Sequence, residues 1–367
     1  MSPAIRHRLI SEDEVAFEVL QFSKISRVEK FLQEIYWRRY WKAWLSLRPQ
    51  VWGDYLQNLT ARRNENDERV INSIERAESG NPVIDHFSRE LVDTGYLHNH
   101  ARMWFAAWWV HEVKLPWELG ADFFYKHLLD GDPASNTLSW RWVAGLQTPG
   151  KTYLARRANL EKYIAPEILE SMVDGLSAFE NPHPYLPEIP DKPPITRPDL
   201  PGPGFHSPAP TGLWIHEEDL SPESSPLAGL TFSTVFVTGH PRSWERHSFP
   251  LPKRRWLTDA LADTCTRASQ HWKTDAVMEL PSDLASSLVQ WAKSHRLAQI
   301  TTLRPGVGPL EDALSGISAV LNTHGIQLIQ IDRPQDLLLR PLATGSFFQF
   351  WEKMRKLGFI PFADKQD

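Results

Sequence analysis

Between Asn181 and Thr211 the chain reads NPHPYLPEIPDKPPITRPDLPGPGFHSPAP, with eleven prolines in thirty residues. Proline lacks a backbone N–H and fixes φ, so this stretch favours extended, unpaired backbone and cannot build a core of its own. It divides a chain of 367 residues, which is long enough for two domains, into two foldable regions. The expected organisation is a first domain over 1–180, a linker over 181–211 and a second domain over 212–367.

The two regions differ in hydrophobic period. Before the prolines, apolar and aromatic residues recur at helical spacing in VEKFLQEIYWRRYWKAWLSL, PVIDHFSRELVD, ARMWFAAWWVHEV and LGADFFYKHLLD, with scarcely any strand-like alternation. That pattern predicts an all-helical domain. After them, short β-rich runs (TGLWIHEEDL, TFSTVFVTG, DAVMEL, AQITTLR, IQLIQID) alternate with helical segments near 253–270, 282–294 and 309–323. Such alternation predicts a doubly wound α/β domain, a parallel sheet with helices on both faces. The loop PGVGPLED follows a strand but lacks the third glycine of a dinucleotide fingerprint.

Composition narrows the chemistry. A single cysteine, Cys265, excludes an intramolecular disulfide and a cysteine-ligated iron–sulfur cluster. Fourteen histidines show no HExxH or similar ligand spacing, so no metal is expected. No stretch approaches the roughly 20 apolar residues that span a bilayer, and the opening residues lack a charged-then-apolar leader. No membrane association and a cytoplasmic location are the expectations. A net charge of −5 confines any nucleic-acid contact to local patches, such as Arg38, Arg39 and Lys42, or Arg62 and Arg63, or Lys151, Arg156 and Arg157.

Several polar residues sit where a purely apolar core would not hold them. Glu34, Trp37, Arg38 and Trp41 fall at i, i+3, i+4 and i+7 on one helical face, and Asn99, Arg102 and Met103 share another. The turn-rich DGDPASNTLSW adds Asp130, Asp132, Asn136 and Trp140. An Asp/Asn turn commonly just caps the next helix. Unpaired burial of such groups costs several kcal/mol, however, and the three features together suggest a pocket for a large, flat, partly polar ligand.

The stretch GYLHNHARMWFAAWWVHEVKLPWELGADFFYKHLLDGDPASNTLSWRWVAG, residues 95–145, resembles the flavin-binding domain of the photolyase and cryptochrome family. That family carries Trp-Met-His-Asn-Arg-x-Arg-Met and then Asp-Gly-Asp-x-Ala-x-Asn with Trp-x-Trp. EIYWRRYW and SGNPVIDHFSREL are similar to its Glu-x-x-Trp-Arg-Glu-Phe-Tyr and Thr-Gly-Tyr-Pro-x-x-Asp segments, and MSPAIRHRLISEDEV to its phosphate-contacting Ser-Pro loop and following helix. The family places an α/β antenna domain first. Here GLWIHEEDLSP and DRPQDLLLRPLATGSFFQFWEKMRK resemble that domain's two ends but follow the prolines, so the resemblance implies a circular permutation.

By the resemblance, Asn136 faces flavin N5, Arg102 and Asp130 form an ion pair beside the ring, and Asp132 contacts its polar edge. Ser2 and Arg38 approach the FAD phosphates, Asn99 borders both cofactor and substrate, and Glu34, Trp37, Met103 and Trp142 line the cavity for a flipped-out pyrimidine dimer. Trp140 and Trp117 correspond to the inner and middle members of an electron-carrying tryptophan chain, with Trp52 as the candidate for the outer. The implied activity is blue-light-driven splitting of cyclobutane pyrimidine dimers in single- or double-stranded DNA by reduced FAD, with an antenna chromophore of unknown identity as a possible second cofactor. The alternatives are a cryptochrome-like photoreceptor without repair, and a flavin-free interaction protein or nicotinamide enzyme. The sequence departs from the family at Thr137, Leu138 and Ser139, which replace Asn-Gly-Gly, at His100, which replaces an arginine, and in QTPGKTYLARRANLEKY. Without those glycines the local backbone is expected to differ.

Overall fold

The computed structural model describes residues 1–148, 151–185, 193–196 and 209–359. Most of the expected linker therefore lies outside the described residues. Helices α1 (Ser2–Arg6), α2 (Glu12–Phe22) and α3 (Ile25–Ser46) open the chain. Next come α4 (Gln50–Glu65), α5 (Glu68–Glu75), α6 (Pro82–Thr94), α7 (Asn99–Ala107), α8 (Trp117–His127), α9 (Pro133–Val143), α10 (Arg157–Tyr163) and α11 (Pro166–Glu170). Then β1 (Thr211–His216), β2 (Thr234–Thr238), β3 (Ala276–Glu279), β4 (Gln299–Leu303) and β5 (Gln327–Ile331) alternate with α12 (Pro241–Arg246), α13 (Leu251–Trp272), α14 (Leu284–Ser294) and α15 (Pro309–Thr323). Two helices, α16 (Pro334–Leu339) and α17 (Phe347–Lys356), follow the last strand. The helical-then-α/β expectation holds, and each strand falls inside the run that predicted it.

Local chemistry sets the boundaries. Ser11 and Glu14 close a capping box on α2. Asn81 caps α6 ahead of Pro82, and Gly95, at φ 68°, ends that helix in the left-handed conformation. Asp132 caps α9 by accepting from Ser135 N at 2.8 Å, again ahead of a proline.

The chain forms two compact units, one of Gln50–Pro193 and one of Met1–Pro49 with Pro194–Asp367. This division differs from the expected 1–180 and 212–367 in the placement of the first three helices. The reason is a set of pairings between residues far apart in sequence. Arg6 grips Glu218 through two bonds of 2.7 and 2.6 Å, His7 Nδ1 lies 2.6 Å from Glu217 O, and Arg8 reaches Asp219 at 3.1 Å and Asp336 at 2.8 and 2.7 Å. The Leu220 N–H also donates to His7 O at 2.9 Å. Aromatic packing reinforces this, because Trp37 of α3 stacks on Phe347 of α17 with ring centroids 3.9 Å apart.

In that unit the sheet order is β3-β2-β1-β4-β5, with all neighbours parallel. The central strand β1 is buried along its whole length, as a strand covered by helices on both faces must be. Trp214, Phe236, Trp291 and Ile300 anchor the core, and Gly212 leaves room for the Trp291 ring, whose Cη2 would lie 2.4 Å from an added Cβ. Among the described residues, no helix is long and apolar enough to cross a membrane and no cluster of His, Cys, Asp and Glu could hold a metal ion.

Candidate functional site

In the helical unit the polar residues singled out above come together at the start of α7 and around the α8–α9 turn. Arg102 Nη2 donates to Asp130 Oδ2 at 3.0 Å, and its Nε donates to Leu97 O at 2.7 Å, so a guanidinium on α7 is fixed against the acidic turn. Asp130 is nearly buried while Arg102 is partly open. Asp132 does cap α9, as the simplest reading of such a turn expects, but it and Asn136 are both buried, which capping alone does not require. The Asn136 amide donates to Ala121 O at 2.7 Å, which fixes its orientation between α8 and α9. Beside it, the buried Ser135 Oγ has no hydrogen-bond partner among the described residues. Thr137, Leu138 and Ser139, which replace the family's Asn-Gly-Gly, lie inside the continuous helix α9, so the backbone there is ordinary right-handed helix.

The three tryptophans of the expected electron chain fall in two ring clusters. Trp140 is 2% exposed and meets Phe124 at 5.0 Å, Trp109 at 6.2 Å and Phe105 at 6.4 Å, all edge-on. Gly120 permits this packing, since an added Cβ would lie 2.3 Å from Trp140 Cη2. Trp117 instead neighbours Tyr55 at 5.6 Å, and Tyr55 neighbours Trp52 at 5.3 Å. Trp52, expected as an outer ring, is 2% exposed because Tyr55 and Tyr125 pack around it. Arg141 stands 5.8 Å over the Trp117 ring. Burial lowers the Arg141 pKa despite the opposing fields of Glu118 and Asp54, and burial raises that of Glu118.

Sequence reasoning did not single out Trp109, Tyr55 or His111. The α7 helix widens into a π-helical turn over Trp108–Glu112, a feature that often re-aims side chains at functional sites. It carries Trp109 to Trp140, and it places His111 Nε2 3.1 Å from Val143 O while Nδ1 accepts from Tyr185 N at 3.2 Å. Burial lowers the His111 pKa, consistent with a neutral ring protonated at Nε2. The only sequence signal for the widened turn was the length of the aromatic run WFAAWW.

On the same face of α7 as Arg102, Asn99 Nδ2 lies 3.8 Å from Met103 Sδ. His100 stacks on Tyr163 at 4.5 Å and on Trp104 at 5.6 Å, and Trp142 stacks on Tyr153 at 5.6 Å. The remaining candidates, Ser2, Glu34, Trp37 and Arg38, belong to the other compact unit. There Ser2 opens the short helix α1, Glu34 is exposed, Arg38 is partly buried, and Trp37 keeps some exposure beside Phe347.

Comparison with known proteins bears on these residues. Residues 31–175 match the family model described as the FAD binding domain of DNA photolyase. A deoxyribodipyrimidine photo-lyase of Streptomyces griseus is 32% identical over 165 residues, covering 41% of this chain and 35% of that protein. Those of Alkalihalophilus pseudofirmus and Escherichia coli are 28% and 26% identical over 155 residues each, covering 42% and 40% of this chain and 32% and 30% of the relatives. The chain thus spans about a third of the length of the curated relatives it matches.

Proposed function

Residues 31–175 match the FAD binding domain of DNA photolyase, and from that premise we propose that this protein belongs to the photolyase and cryptochrome family, binds FAD and repairs cyclobutane pyrimidine dimers in DNA under blue light. The observation that carries the proposal is the buried group of Asp132 and Asn136 next to the Arg102–Asp130 ion pair. The carboxylates and amide of this turn, with the α7 guanidinium held against it, suit the alternating N–H and C=O edge of an isoalloxazine ring, and the orphan Ser135 hydroxyl adds a further group able to bond there. When bound, reduced FAD supplies the light-excited electron that splits a dimer. Asn136, a neutral amide with no acidic proton to give, keeps negative charge on the ring, and Arg102, held by Asp130, stabilises that charge.

Asn99, Met103 and Trp142 of the helical unit receive the extruded dimer, replacing lost base stacking with aromatic and thioether surface. Trp140 accepts oxidising charge first, with Trp117 and then Trp52 behind it. The reading includes a circular permutation, since the doubly wound unit follows the helical segment in this chain. It also includes an antenna pigment in that unit, recognisable as absorption bands beyond those of flavin.

The test is the visible spectrum of the purified protein, followed by dimer content of an oligonucleotide after incubation in light and in darkness. Flavin absorption with light-dependent dimer loss supports repair. Photoreduction without dimer loss transfers the reading to a photoreceptor, and a colourless protein overturns both.

A further inference from the structure

The parallel sheet frames a cavity that the flavin reading does not use. In an open doubly wound sheet, ligands bind beyond the carboxyl ends of the strands, where the strand order reverses. The order β3-β2-β1-β4-β5 places that point between β1 and β4. A cavity of about 210 Å³ lies there, walled by Glu218 after β1, the loop from Arg304 to Val307 after β4, Asp332 after β5, Arg39 and Lys42 on α3, and Asp336 and Arg340 near α16. The glycine loop that fails as a dinucleotide fingerprint thus borders it. At Gly306 an added Cβ would meet only Lys42 Nζ, 3.8 Å away.

Three arginines of the wall hold buried N–H groups with no acceptor among the described residues: Arg39 at Nε and Nη1, Arg304 at Nη2, and Arg340 at Nη1. Arg39 is 4% exposed, so water does not readily satisfy it. The nearby carboxylates are already engaged, Glu218 by Arg6, Asp336 by Arg8, and Asp332 by both Arg304 and Arg340. They fix the guanidinium planes instead of supplying the missing acceptors. Glu311 also lines the wall, and burial with neighbouring Asp312 raises its pKa toward the neutral form, which reduces its repulsion of an anion.

We propose that this cavity binds a compact oxyanion, a phosphate group either free or carried by a small molecule such as a nucleoside monophosphate, held by Arg39, Arg304 and Arg340 with Lys42 opposite the glycine loop. Planar guanidinium forks match phosphate oxygens. The volume lies below the roughly 300–1,000 Å³ of sites for drug-sized ligands, and the charged wall suits phosphate better than a fused aromatic pigment.

Calorimetric titration of the full-length protein with inorganic phosphate, adenosine 5′-monophosphate and adenosine tests this. Phosphate and the monophosphate should bind and adenosine should not. A tighter monophosphate identifies a nucleotide-type ligand, and equal affinities identify free phosphate. Arg340→Gln should weaken binding about tenfold, the loss of one charge-assisted hydrogen bond. Because Arg340 also holds Asp332, Gly306→Leu serves as a second variant that fills the cavity without altering Arg39, Arg304 or Arg340; it should abolish binding with circular dichroism and flavin absorbance unchanged. No heat with either phosphate compound, adenosine binding as tightly as its monophosphate, or unaltered affinity in Gly306→Leu overturns the proposal while leaving the flavin reading untouched.

Discussion

Around Trp140 in the helical unit the neighbours are rings, namely Phe105, Trp109 and Phe124, whereas around Asp219 in the sheet unit the neighbours are ions. Asp219 accepts two bonds from Arg333, at 2.8 and 2.7 Å, and a third from Arg8. The surroundings of these two residues are held by different physics. Rings depend on shape and are indifferent to protonation, while buried ions depend on each charge keeping its partner.

The largest expected effect comes from breaking an ion partnership. Arg333→Ala leaves Asp219 buried beside Arg8 alone and should lower unfolding free energy by about 3–5 kcal/mol, measured by urea denaturation near pH 7. A loss no greater than that of an exposed pair would erase the contrast between the units. The next concerns Glu217, fully buried, whose pKa burial pushes up to about 7 even though Trp244 and His240 donate to it. A carboxyl whose folded pKa exceeds its unfolded one stabilises fully below about 4.5 and loses that contribution as pH rises through 7. Glu217→Gln should therefore match the parent near pH 4 and exceed it by on the order of 2–3 kcal/mol above pH 7. His7 slopes the other way, because burial lowers its pKa to about 3, so its contribution is complete above about 6.5 and falls with acidification. Removing Glu217 should expose that slope in stability curves taken at successive pH values.

Shape governs the third prediction. Gly120→Ala forces a methyl against the Trp140 ring and should cost about 1–3 kcal/mol, independent of pH. Pronounced pH dependence of that loss would show that the aromatic interior also rests on ionisation. The smallest effect is Asn81→Ala, which removes the α6 cap and a bond to Gly175 O and should cost about 1 kcal/mol in thermal melts.

The ring interior was more legible in the sequence than the ionic one. Helical periodicity in ARMWFAAWW and LGADFFYKH marks which faces turn inward, and the motif around Asp130 identified the acidic turn that the structure pairs with Arg102. The α/β alternation likewise predicted each strand among the described residues, since buried parallel strands read as short β-branched runs between helices. The grouping of residues 1–49 with the sheet had no such signal. Arg6 and Glu218 are 212 positions apart, and neither has a local pattern that names the other. Tyr55 was missed for a related reason, because its place between Trp52 and Trp117 depends on how α4 meets α8.

The grip of Arg6, His7 and Arg8 on Glu217, Glu218 and Asp219 also sets a timetable. With 212 residues separating Arg6 from Glu218 and ribosomes adding about 5–20 residues per second, the first helices wait roughly 10–40 seconds for their counterpart to be synthesised. Arg6, His7 and Arg8 are thus made well before the acidic residues they pair with, and until those emerge these basic groups and the aromatic face of α3 stay open to whatever else the cell presents.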